Sequence, residues 1–189
     1  STTADITLNN HMTTGATATA DLTLAAAAGV VKLGSARSLI AGRHLTITGK
    51  AVAGITSVGA VIITATKANN GALKVTGGWT MSGGGEITAT AKEATLEGDI
   101  MTDETGGATN GTLKVDVTTT LVVGTASSSP TWTVKGALDV DAPTSITAPK
   151  GCTLAVTGAV AVDTAGVFEA TDGALSVAAS AGAVTISGD

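Results

Sequence analysis

The chain has 189 residues, a net charge of −5 and a composition of small side chains, with 35 Thr, 34 Ala and 25 Gly. Hydrophobic residues make up 43% and charged residues only 13%, which excludes intrinsic disorder of the highly charged, poorly hydrophobic kind. Glycine without a three-residue period excludes collagen, and no apolar run approaches the roughly 18 residues of a membrane span, so no membrane span is expected.

In chain order, short segments alternate apolar and polar residues: Ile6-Thr7-Leu8, Leu22-Thr23-Leu24, Leu45-Thr46-Ile47, Leu73-Lys74-Val75, Leu113-Lys114-Val115, Leu138-Asp139-Val140, Leu154-Ala155-Val156, Leu175-Ser176-Val177 and Val184-Thr185-Ile186. A period of two places apolar side chains on one face of a strand and polar ones on the other. The many β-branched Thr and Val side chains favour the same extended backbone. The one helix-like stretch, Ala25 to Ala28, is far below the roughly 12 residues of a marginal isolated helix. The chain therefore reads as all-β, one domain over residues 1–189, with residues 1–10 as an exchanged or edge-pairing N-terminal strand.

Local signatures repeat. Asn70-Gly71-Ala72-Leu73-Lys74-Val75 is echoed by Asn110-Gly111-Thr112-Leu113-Lys114-Val115, and more loosely at Lys135 to Val140 and Asp172 to Val177. The leading leucines fall at 22, 45, 73, 96, 113, 138, 154 and 175. An imperfect, glycine-punctuated repeat of roughly 20 residues marks a solenoid, here a single-domain parallel β-solenoid of about eight irregular coils. The alternative is an antiparallel β-sandwich or jelly roll, in which Asn-Gly would mark hairpin turns. Sandwich cores draw on aromatic residues, and only 2% of this chain is aromatic. Repeats of the form Gly-x-Leu-x-Val-x-Gly, as in Gly71 to Gly77, resemble those of filamentous haemagglutinins and autotransporter passenger domains. That resemblance implies an extracellular solenoid with an adhesive or fibre-forming role, and it carries over no individual site residue.

No catalytic signature is present, and enzymatic activity is not expected. His11 and His44 stand alone, and no Gly-x-Ser-x-Gly elbow accompanies them. Trp79 and Trp132 are the only candidates for stacking on a sugar. Acids concentrate at Glu86, Glu93, Glu97, Asp99, Asp103 and Glu104. Of these, Glu97, Asp99, Asp103 and Glu104 form a candidate calcium site, because calcium takes six to eight oxygen ligands; no other cofactor is expected. Thr-x-Thr triplets at 17/19, 46/48, 64/66, 88/90 and 131/133 resemble ice-binding ladders, but their uneven spacing keeps them from forming one row. Cys152 is the single cysteine and reads as a buried, inert thiol.

Charge is distributed unequally. Residues 1–92 hold seven basic and three acidic residues, a net of +4; residues 93–189 hold three and twelve, a net of −9. In a solenoid, sequence position maps onto the axis, so the molecule is expected to be a dipolar rod with strand at both ends. Ile6 and Leu8 at one end and Val184 and Ile186 at the other are the expected assembly residues. The expected function is an extracellular structural subunit that joins other copies of itself head to tail into a fibre or surface layer. Alternatives are a single-rod adhesin or carbohydrate-binding module contacting a cell surface or glycan, and an ice-binding protein. Nucleic acid is not expected as a partner, since no run of Lys and Arg occurs. Ser1 in place of Met fits a mature secreted chain, and the expected location is secreted or at the cell surface.

Overall fold

In the computed structural model, residues 4–14, 19–35, 37–52, 54–102, 111–141, 145–163, 167–179 and 184–187 are described. The chain winds as a succession of short parallel strands around three faces. The first coil is β1 (Ile6–Leu8), β2 (Met12–Thr13) and β3 (Leu22–Ala25), and the second is β4 (Val31–Leu33), β5 (Arg37–Ala41) and β6 (Leu45–Thr48). The third is β7 (Ile55–Val58), β8 (Val61–Ala65) and β9 (Ala72–Thr76), with a 3-10 turn at Lys67–Asn69. In the fourth and fifth coils the second and third faces are covered by one long, bent strand each: β10 (Trp79–Ser82) leads to β11 (Glu86–Leu96), and β12 (Ile100–Thr102) to β13 (Thr112–Val123). Then come β14 (Thr131–Val134), β15 (Leu138–Asp141) and β16 (Ser145–Ala148); β17 (Gly151–Val156), β18 (Val160–Asp163) and β19 (Val167–Ala170); and β20 (Ala174–Ala179) with β21 (Val184–Ser187).

Every ladder between these strands is parallel. The first face is an eight-stranded sheet in the order β1-β4-β7-β10-β12-β14-β17-β20. The second runs β2-β5-β8-β11-β13-β15-β18-β21. The third, β3-β6-β9 continued by β16 and β19, joins the second through β11 and β13 into one thirteen-stranded sheet. The β11 register shifts between Ala91 and Glu93, where the strand turns from one face to the next. This is the parallel β-solenoid; the antiparallel sandwich does not form. The Asn-Gly at 70–71 is accordingly a corner rather than a hairpin: Asn70 takes a left-handed φ of 55°, which Asn tolerates better than most residues.

Registered stacking makes the core. On the first face Ile6, Val31, Ile55, Trp79, Ile100, Trp132, Leu154 and Val177 stand one above the other. On the second, Ile87, Leu113, Leu138 and Val160 do so, and on the third Leu22, Leu45, Leu73, Ala94, Leu121, Ile146 and Phe168. The leading leucines are thus not one repeat. Leu22, Leu45 and Leu73 share the third face, Leu113 and Leu138 the second, and Leu154 and Leu175 the first. The two Asn-Gly copies likewise feed different faces, β9 and β13.

Between-coil ion pairs decorate the exterior: Lys32–Asp5 at 2.7 Å, Arg43–Asp21 at 3.1 Å, Lys67–Asp116 at 2.5 Å, Lys74–Glu97 at 2.9 Å and Lys114–Asp139 at 3.2 Å, with Lys150–Asp172 beside them. Exposed pairs contribute little stability each; here they link coils whose register the apolar columns already fix.

Candidate functional site

Two regions of the rod stand out: a recess at the corner between the third and first faces, and the two ends.

Corner length makes the recess. The link from β9 to β10 has two residues, Gly77 and Gly78, and that from β11 to β12 has three, Glu97, Gly98 and Asp99. The links on either side are longer, six residues from β6 to β7 and seven from β13 to β14. The tight corners depend on glycine. Gly77 has φ +98°, and a Cβ at Gly98 would sit 2.3 Å from the Gly77 carbonyl oxygen. Two protruding loops therefore bracket two sunken corners, leaving a cleft of about 460 Å³.

Hydroxyl and carboxylate side chains line it among apolar surface. Thr76, Glu97 and Asp99 face Thr125, Ser127, Ser128 and Ser129 across it, with Ala51 and Pro130 at its margins. The far wall is internally hydrogen-bonded: Thr125 Oγ1 lies 2.8 Å from Ser128 Oγ, and the Ser127 N–H donates to Thr125 Oγ1 at 3.2 Å. Glu97 Oε1 is held by Lys74 Nζ at 2.9 Å, and Asp99 Oδ1 accepts from the Thr131 N–H at 2.8 Å. A second lobe of about 170 Å³ adjoins it at Asp99 and is lined by Val52, Thr80 and Met101. Val52 is 79% exposed and Met101 48%.

The acids that cluster in sequence are spread around the perimeter. Glu86 opens β11 on the second face, Glu93 lies where β11 has reached the third, and Glu97 and Asp99 lie at the corner beyond it. Asp103 and Glu104 lie outside the described residues. Among the described residues no three His, Cys, Asp or Glu side chains come together.

Other candidate side chains have structural roles. His11 Nδ1 accepts from the Ser38 N–H at 3.1 Å, and His44 Nδ1 from the Ala72 N–H at 3.1 Å, so each ring joins one coil to the next. Trp79 and Trp132 are 2% and 1% exposed, so neither offers a stacking platform. Cys152 is buried among apolar side chains, and that burial pushes its thiol pKa up to about 11, away from the reactive thiolate range. The Thr triplets fall on three faces. Thr46 and Thr48 lie on β6, Thr64 on β8, Thr88 and Thr90 on β11, and Thr131 and Thr133 on β14. Thr17 lies outside the described residues, and among the described ones only Thr64 stacks on another of them, Thr90.

At the N-terminal end, β1, β2 and β3 pair within the chain with β4, β5 and β6, respectively. Their other edges have no strand partner among the described residues. Ile6, Leu8, Met12 and Leu22 are only half-buried. At the opposite end Phe168, Leu175, Val177 and Ala179 are half-buried, and Val184 is 47% exposed. Ile186 continues the second-face register beyond Val162.

Compared with protein-family models, curated proteins and solved structures, the chain matches none. The class the fold defines is the parallel β-solenoid. Among the described residues no helix is long and apolar enough to cross a membrane.

Proposed function

We propose that this chain is an extracellular structural subunit that joins further copies of itself end to end. The observation that supports this most is that apolar side chains remain half-buried at the open end of all three faces at the N-terminus, and of the first and third faces at the opposite end, where Val184 of the second face is exposed, beside parallel strand edges. Such an edge is a template for another strand. Pairing across a joint of unlike surfaces propagates into a filament wherever its rotation does not close into a ring. A second copy is the occupant that charge favours. Residues 1–54 hold Asp5 and Asp21 against Lys32, Arg37, Arg43 and Lys50, a net of +2, whereas residues 151–189 hold four acids and no Lys or Arg. Apolar burial and main-chain pairing would supply the free energy, and charge the polarity and rate of association. The fibre-forming role that a likeness to filamentous haemagglutinins implies points the same way.

The test uses a proline placed by the hydrogen-bond pattern. The Ile6 N–H donates to Val30 within the chain at 2.9 Å, so the Thr7 N–H points to the open edge. Thr7→Pro should therefore keep the fold, by circular dichroism, and abolish filaments in electron microscopy and sedimentation. Normal filaments from this variant would exclude β1 as the joint. A wild-type chain that stays monomeric at high concentration would overturn the proposal.

A further inference from the structure

We propose that the corner recess is a binding site for a neutral saccharide of one to two sugar units. The reading is independent of end-to-end assembly, since none of its residues lies at either end of the rod.

The chemistry of the lining selects the ligand. A sugar hydroxyl both donates and accepts, and so needs partners that do the same. Ser and Thr hydroxyls supply one donor and two acceptor positions each, and Thr125, Ser127 and Ser128 form one wall. The opposite side adds two carboxylates. Lys74 and the Thr131 N–H each occupy one oxygen of a carboxylate, leaving Glu97 Oε2 and Asp99 Oδ2 with no hydrogen bond among the described residues. Carboxylate oxygens accept strong charge-assisted bonds from hydroxyl donors, and both carboxylates line the same cleft.

Charge narrows the class further. Two carboxylates disfavour phosphorylated, sulfated or uronic ligands, because like charges brought together are repelled. Lys74 already offsets Glu97, so the recess lacks the concentrated negative charge that would favour an ammonium or a metal ion. An uncharged ligand with many hydroxyls is what remains. The lobe beside Asp99 gives its C–H face something to rest on: the exposed side chains of Val52 and Met101 flank the cleft, as apolar walls with a few convergent polar groups do in ligand sites generally. With both tryptophans inside the core, this contact is aliphatic rather than a ring stack, which predicts weak, millimolar-range binding.

The site is also preformed. Ladder bonds hold its floor: the Gly78 N–H donates to Ala51 at 2.9 Å, Glu97 N–H to Val75 at 2.9 Å and Trp79 N–H to Asp99 at 2.8 Å, and the Gly124 N–H fixes the start of the hydroxyl-bearing loop on Leu96 at 2.8 Å. Little ordering is then needed on binding.

The test is a titration of the ¹⁵N-labelled full chain, followed by amide chemical shifts, with maltose, cellobiose and lactose as neutral probes. Glucuronate, glucosamine and calcium chloride are the charged comparators. Saturable shifts with at least one neutral disaccharide are expected, confined to the amides of Gly77, Gly98 and Ser127 to Ser129, and none with glucuronate. Asp99→Asn, which can still accept from Thr131, should weaken binding about tenfold or more. Met101→Ser, a change at an exposed side chain outside the core, should weaken it severalfold with the circular dichroism spectrum unchanged. Three results would overturn the proposal: no saturable shift with any neutral disaccharide, tighter binding of glucosamine or calcium at the same amides, or shifts indifferent to both substitutions.

Discussion

Trp79 and Trp132 occupy the same first-face column, two coils apart, yet their indole N–H groups meet different fates. That of Trp79 donates to Ser57 Oγ at 3.0 Å, both residues being buried. The residue standing to Trp132 as Ser57 stands to Trp79 is Thr102, by the registers Met81–Ser57 and Thr102–Val134. Its hydroxyl is already committed, donating to Gly111 at 2.7 Å and accepting from the Lys135 N–H at 2.9 Å. The Trp132 N–H is buried without a partner among the described residues. Changing either tryptophan to Phe removes similar volume, so the packing losses largely cancel in a comparison. Trp79→Phe additionally strands the Ser57 hydroxyl, at about 1–3 kcal/mol. Trp132→Phe instead removes an unpaired donor, whose burial already costs about 1–3 kcal/mol. The two variants should therefore differ by about 2–6 kcal/mol in urea unfolding, with Trp79→Phe the less stable. Adding Ser57→Ala to Trp79→Phe should recover part of the loss, because removing both partners of a buried bond costs less than removing one. Equal stabilities for the two single variants would refute the reasoning.

Leu113 is 1% exposed between Ile87 and Leu138 in the second-face column. Leu113→Ala should cost about 3–5 kcal/mol in chemical denaturation, because strands on both sides hold the cavity open. Leu175→Ala on the half-exposed last first-face strand should cost about 1–2 kcal/mol, and Lys114→Ala less than about 1 kcal/mol; a ranking that does not follow burial would mean that the columns are misassigned. Acid should loosen the N-terminal coil first. The Lys32 ammonium and the Arg43 guanidinium, by hydrogen bonding Asp5 and Asp21, hold those carboxyls below the usual carboxylate range. A lowered folded pKa gives stability that is present above the unfolded value near 4 and lost as pH falls through the folded one. Amide exchange in β1 and β3 should therefore rise below about pH 4 before that of the central coils; exchange that rises uniformly along the rod would contradict it.

The period-two pattern is enough to specify strands with one face turned to a core, because alternation is a property each strand carries by itself, and the dearth of aromatic residues favours the parallel solenoid over the antiparallel sandwich without deciding between them. Face assignment is different. The pattern Leu-x-Val looks the same on all three faces, so Leu73 and Leu113 read as successive copies although they stand on different sides of the rod. Only the summed length of three strands and three corners determines which residues stack. That sum runs from 21 residues, Trp79 to Ile100, to 32, Ile100 to Trp132, and the leucine spacing averages the variation away. The recess was hidden for the same reason. Glu97 and Asp99 are conspicuous as acids, but the cleft beside them exists because Gly77-Gly78 and Glu97-Gly98-Asp99 are short where their neighbours in the stack, Gly49 to Gly54 and Gly124 to Pro130, are long. Those loops lie about 75 residues apart along the chain and become neighbours only once the coils are counted. Cavities in a solenoid arise from differences between corners, so they can be found from sequence only after the register is known, whereas the core can be found without it.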